Sequence, residues 1–338
     1  MLDSRFTTVR HENVSLPAFE ASPYLATDEG YSLASTDALS SFVALLSNDA
    51  SRVEPERVRE RLNALDRLDA YLPSNPQAHG GGVPIVPELF LRALGIRSRL
   101  DSINTDFYDE IRRQIQRGLR PCFALQSLIK EDLNAPCHGL GYDYIDEVIS
   151  GVFQFEEPQE DSSSRDPERL FYQPTPARHI FRLIDLTALD ASDVFVDLGS
   201  GLGHVPMIVS ICTEARSFGI EIERAYVECA CECAQRLNLS GVTFMQGDAL
   251  EADLSLGTVF YLYTPFMGSV LRTVLDRLRL EASTRPIRIC SHGPCTPVIA
   301  AEPWLTATNT PDADSITVFR SLALLPWTFC AKYSIDET

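Results

Sequence analysis

The run Val194-Phe-Val-Asp-Leu-Gly-Ser-Gly-Leu-Gly-His204 decides the fold. Its first five residues are apolar apart from Asp197 and read as a buried strand. Gly199, Gly201 and Gly203 follow, where positive φ costs nothing and backbone can come close to a ligand. The apolar pattern Val205–Cys212 then opens a helix, so the strand delivers its C-terminal end into a nucleotide-type crevice. Working outward, the helix Pro176–Leu186 precedes this unit; the strand Ser217–Ile222, the helix Ala225–Leu237 and the strand Val242–Gln246 follow it. Thr258–Tyr263 and Ile287–Ser291 read as further strands flanking the helix Gly268–Leu280, and Trp304–Thr308 with Ser315–Leu322 as a closing antiparallel hairpin. Seven strands interleaved with helices predict an α/β, doubly wound, mostly parallel seven-stranded sheet.

The N-terminal half reads differently. Residues 1–35 are polar and aperiodic, an extended arm; from there to residue 133 the spacing of Leu39, Phe42, Val43 and Leu46, repeated by Val58, Leu62, Leu65 and Leu68, predicts an all-helical domain, expected to cap the substrate site. Residues 134–173 combine one short helix, Tyr142–Ser150, with an acidic Ser-rich loop, and the α/β domain takes 174–338.

Two ligand classes compete for the glycine turn. A dinucleotide fingerprint G-x-G-x-x-G needs a small residue where this chain has His204. The spacing is instead G-x-G-x-G with Asp197 two residues ahead, and it resembles motif I of the class I S-adenosylmethionine (SAM) methyltransferases, which have a Rossmann-like sheet. The resemblance implies that Asp197 holds the methionine ammonium, that Gly199, Ser200, Gly201 and Gly203 make room for the carboxyl end and ribose, and that Glu221, with Ile222 next to it, takes the ribose hydroxyls. Gly247, Asp248 and Ala249 would border the adenine, although Asp248 also suits an N-cap. His204 would start the next helix near the SAM carboxylate. The product would be S-adenosylhomocysteine.

A closer resemblance is carried by Tyr172-Gln-Pro-Thr175, the following helix, FVDLGSGLGH and GIEIE: over residues 170–250 the chain is similar to the histone lysine methyltransferases that lack a SET domain. That family implies Tyr172 and Thr175 as a loop closing over SAM. It has Asn and Phe residues at the end of the fourth strand, where this chain has Tyr263-Thr264-Pro265-Phe266. Tyr263 borders both ligands; Thr264, Pro265 and Phe266 would touch the methyl acceptor, with Tyr142 as a lid. His292, at the end of the fifth strand, is the candidate general base for an O or N acceptor. It suits a turn-capping role equally well. A non-catalytic SAM-binding module remains the alternative outside enzymes.

Charge narrows the acceptor. The chain carries 47 acids against 29 bases, a net −18, and Lys130 and Lys332 are its only lysines. No basic footprint exists, so free nucleic acid and an anionic membrane are not expected partners; a small molecule or peptide is. Between Glu131 and Glu168 eleven acids face one base, Arg165, which reads as a solvated linker or as a border that biases the acceptor entrance toward cations. Nine cysteines without a disulfide spacing, and no apolar leader, predict a reduced, cytoplasmic chain. Cys229, Cys231 and Cys233 at i, i+2 and i+4 of a helix do not share a face, and no metal site is expected.

Overall fold

The computed structural model describes residues 34–49, 54, 57–72, 87–121, 125, 141–155, 173–263 and 266–322. Seven strands form one sheet: β1 (Val194–Leu198), β2 (Arg216–Glu221), β3 (Val242–Gln246), β4 (Val259–Tyr263), β5 (Arg288–His292), β6 (Leu305–Ala307) and β7 (Thr317–Ser321). Their order is β3-β2-β1-β4-β5-β7-β6, with the first five parallel and β7 antiparallel to both β5 and β6. The doubly wound, mostly parallel sheet is therefore present, closed by the expected hairpin. Chain order reverses between β1 and β4, and at such a switch point a crevice opens beyond the strand C-termini.

The helices are α1 (Ala34–Asn48), α2 (Val58–Tyr71), α3 (Pro87–Gln116), α4 (Tyr144–Phe153), α5 (Ala177–Thr187), α6 (His204–Cys212), α7 (Arg224–Arg236), α8 (Gly268–Ala282) and α9 (Thr296–Ala300). Two compact units contain them. One comprises residues 1–50 and 66–97, and there Leu39, Phe42, Val43 and Leu46 are all buried, as their spacing requires. Arg67 lies over the Phe42 ring at 4.0 Å and Arg97 pairs with Asp69 at 2.5 Å. The other unit, residues 51–65 and 98–338, holds the sheet.

Every residue of β1 is buried, as a central parallel strand covered on both faces must be. Side chains alternate across the sheet, so two cores form. Phe195, Tyr261 and Cys290 join one core with α4, α5 and α6, while Val194, Val196, Leu198, Phe260, Leu262 and Ile289 join the other with α8 and α9. Asp197 follows Phe195 by two residues, and His292 follows Cys290 likewise, which directs both to the first face.

The helix expected from Tyr142 starts two residues later because Asp143 caps it: its carboxylate accepts from Ile145 N at 2.9 Å, and Asp146 accepts from Asp143 N at 2.8 Å. On α7, Cys229 and Cys233 are buried and Cys231 is exposed. Among the described residues no helix is long and apolar enough to cross a membrane.

Candidate functional site

The turn after β1 is built from backbone that only glycine adopts cheaply. Gly199, Gly201 and Gly203 have φ of 85°, 52° and 82°, a region that costs an L-residue roughly 1–2 kcal/mol. Gly203 is also the N-cap of α6, and a Cβ there would lie 2.4 Å from the Phe244 ring. The amides of Gly199 and Ser200 donate to Ile220 O at 2.8 and 3.1 Å, tying the turn to β2.

Two carboxylates lie beneath it. Glu221 Oε2 accepts from Gly201 N at 2.8 Å and Oε1 from Glu223 N at 2.9 Å, so the acid that ends β2 braces the turn. Asp197 is 3% exposed, and no group among the described residues hydrogen-bonds its carboxylate. Burial first, and then the charge of Glu221, hold Asp197 well above the usual carboxylate range. A buried acid pair with no cation beside it among the described residues is relieved either by protonation or by a cationic group of a ligand. Next to it the adenine-side candidates differ in availability: a Cβ on Gly247 would meet nothing within 4 Å, Ile222 is partly exposed and Ala249 is buried. Asp248 uses Oδ1 to accept from Leu250 N at 2.8 Å, within its own turn. These residues fit SAM, which brings an ammonium for Asp197 and a diol for the remaining lone pairs of Glu221.

His204 begins α6 as expected. Its ring packs on Phe155 and Phe153, with centroids 4.5 and 6.1 Å away, and burial pulls its pKa down to about 4. The imidazole is therefore neutral near pH 7.

At the other end of the same face lies a group of rings. Tyr263 and His292 face each other in register on β4 and β5, stacked with centroids 4.9 Å apart and planes 15° from parallel. His179, in the first turn of α5, lies 4.2 Å from the His292 ring. Burial lowers His292 to about 4 and His179 to about 3, the latter helped by His292 itself. Thr175 Oγ1 and the Tyr261 hydroxyl are 3.1 Å apart, and Tyr261 in turn feels the charge of Asp197. The Tyr142 hydroxyl donates to Pro174 O at 2.5 Å, fixing the peptide just before Thr175.

Residues 170–248, which contain the turn, both acids and Thr175, match the family model described as "Histone methylation protein DOT1". This match, together with the glycine turn and its two acids, supports a SAM-dependent methyltransferase. A protein-lysine N-methyltransferase of Saccharolobus islandicus (strain REY15A) is 28% identical over 132 residues, covering 36% of this chain and 74% of that relative. Among solved structures, an RNA methyltransferase from Salinibacter ruber in complex with S-adenosyl-L-homocysteine is 30% identical, with a TM-score of 0.39 over 49% of this chain and 100% of that one. A human methyltransferase 10 domain containing protein is 15% identical, with a TM-score of 0.36 over 52% of this chain and 93% of its own.

The structure brings Thr175, Tyr142, Tyr263 and His292 to the face that carries Asp197. It does not bring Phe266 there: that ring packs against the core of the opposite face. Tyr172, Thr264 and Pro265 lie outside the described residues. Three contributors were not anticipated. His179 sits on the buried side of α5, where nothing local sets it apart from Ile180 and Phe181. Tyr261 reads as plain core inside VFYLY. Asp146 accepts from Asp143 N and from Ala177 N, at 2.8 Å each, and so joins the starts of α4 and α5; burial pushes it up to about 7. Only the D-x-x-D spacing of a capping box hinted at it.

Proposed function

We propose that the methyltransferase binds SAM across the C-terminal ends of β1, β2 and β3 and moves its methyl group to a small-molecule or peptide acceptor held at the ends of β4 and β5. The observation that carries this reading is the buried Asp197–Glu221 pair, which has no cationic partner among the described residues. SAM supplies an activated methyl on a cationic sulfur. Asp197 binds the ammonium, Glu221 accepts from the ribose while its bond to Gly201 N keeps the turn in place, and Thr175 with Tyr261 closes the inner wall. Tyr263 orients the acceptor. Displacement at the methyl carbon is in line, so most of the rate comes from that positioning.

Titration calorimetry tests the reading. SAM binds and NAD does not; Asp197→Ala abolishes SAM binding, whereas retained wild-type affinity refutes this site. Formation of S-adenosylhomocysteine with any acceptor separates an enzyme from a silent binder. A second reading, methylation of protein lysine, is supported by the family match over 170–248 and by the name of the archaeal relative. Label transferred to a lysine-bearing peptide is its test.

A further inference from the structure

Helix α4 precedes every strand of the sheet in the chain, yet it touches both of the loops proposed to hold SAM. Its N-terminal end meets the segment that carries Thr175. There the Tyr142 hydroxyl donates to Pro174 O at 2.5 Å, Asp146 Oδ1 accepts from Ala177 N at 2.8 Å, and Arg178 pairs with Asp143 at 3.4 Å. Gly141, at φ 85°, lies so close that a Cβ on it would stand 3.1 Å from His179 Nε2. The chain is thus held one residue before Thr175 and again two residues after it. The Thr175 hydroxyl itself meets that of Tyr261, the register partner of Asp197 on β4. At the C-terminal end of α4, Phe153 and Phe155 pack on His204, the residue that follows the glycine turn and begins α6. Arg236 of α7 pins this end by donating to Phe153 O and Gln154 O at 2.9 and 2.8 Å. Between the two ends Ile145, Val148, Ile149 and Val152 are buried in the core. A helix packed along its length transmits displacement rather than absorbing it.

From this placement we infer that α4 is a strut that sets the Thr175 segment against bound SAM, and that Asp146 is the positioning residue through which it does so. The inference rests on the SAM-binding reading and deepens it. Asp146 touches no reacting atom, and its two oxygens divide the work. Oδ2 accepts from Asp143 N at 2.8 Å and fixes the start of α4, while Oδ1 takes the Ala177 amide and fixes the start of α5 against it. An asparagine has one acceptor oxygen and turns its NH₂ on the other of these two N–H groups, so one of the two bonds is lost without a change of size. Tyr142→Phe is milder, since it frees only the Pro174 carbonyl. A link needed for folding alone lowers Tm in any background and leaves SAM affinity untouched. A link that places Thr175 changes affinity only while Thr175 has its hydroxyl.

Titration calorimetry with SAM on the full chain compares the wild type, Asp146→Asn, Tyr142→Phe, Thr175→Val, and each of the first two variants combined with Thr175→Val. Thr175→Val and Asp146→Asn each weaken SAM binding about tenfold, and Tyr142→Phe about threefold. In the Thr175→Val background the Asp146 and Tyr142 changes each add less than about twofold. Asp146→Asn with an affinity within about twofold of wild type overturns the inference whatever its Tm. So do effects that multiply in the combined variants, and so does a Thr175→Val variant that binds as the wild type does. Should Asp146→Asn fail to fold, the Tyr142 cycle decides by the same outcomes. If the wild type binds no SAM, the methyltransferase reading falls and this inference with it.

Discussion

One face of the sheet ends in two different chemistries. Beyond β1 and β2, Asp197 is pushed up in pKa with Glu221 beside it; beyond β4 and β5, His179 and His292 are pushed down. The cause is the same at both ends, since burial penalises whichever form is charged. The result is opposite in kind. The acid end has no cation beside it among the described residues, while the imidazole end is neutral near pH 7. One face of a sheet can thus carry an acid end and an imidazole end side by side, with the difference made by side-chain identity rather than by the backbone.

The largest break in that comparison comes from the turn. Gly203→Ala places a Cβ at φ 82° and 2.4 Å from Phe244, so strain and overpacking together cost roughly 2–5 kcal/mol of stability. Thermal melting checks it, and a loss below about 1 kcal/mol means the turn is more pliable than its backbone suggests. Next is Asp197→Asn. It removes one charge from a repelling pair, so Tm rises by a few degrees, while SAM affinity falls about 100-fold, near 3 kcal/mol. Affinity and stability moving together would show that Asp197 is not held for a ligand. Smaller again is Gly247→Ala, whose Cβ meets nothing within 4 Å: stability stays within about 0.5 kcal/mol, and SAM affinity drops about tenfold if the ligand fills that space.

Legibility followed the same division. The strand, glycine turn and helix at residues 194–212 are contiguous, and each residue's role there depends on its neighbours in sequence. Glu221 was legible because the second strand must end beside the first. The imidazole end was not. His179 meets His292 across more than a hundred residues, and the Thr175–Tyr261 contact spans 86. Such pairs depend on the β4–β5 register and on where α5 crosses the sheet, which no local period encodes. Helix α9, five residues long, is too short to show one. Phe266 was expected at the acceptor from its place just after the fourth strand, but β4 ends at Tyr263 and the ring packs on the opposite face.

The smallest effect tests the comparison through acidity. Asp197 and Asp146 have folded pKa values raised above the unfolded ones, Asp146 to about 7, so their contribution is full below about pH 4 and is lost as pH rises through the folded values. His179, His204 and His292 are lowered to about 3, 4 and 4, so theirs is full above about pH 6.5 and is lost as pH falls through the folded values. Between pH 5 and 7 the two sets therefore oppose each other and the wild-type Tm varies little. Asp197→Asn removes a term that favours low pH, so the excess of Tm at pH 7 over pH 5 grows. His179→Gln removes a term that favours high pH, so the same excess shrinks. Melting curves at the two pH values read both, and because each variant is compared with itself, any general loss of packing cancels. Shifts of the same sign in the two variants would mean that the ends do not carry opposite charge demands, and that His292 is not kept neutral by its surroundings.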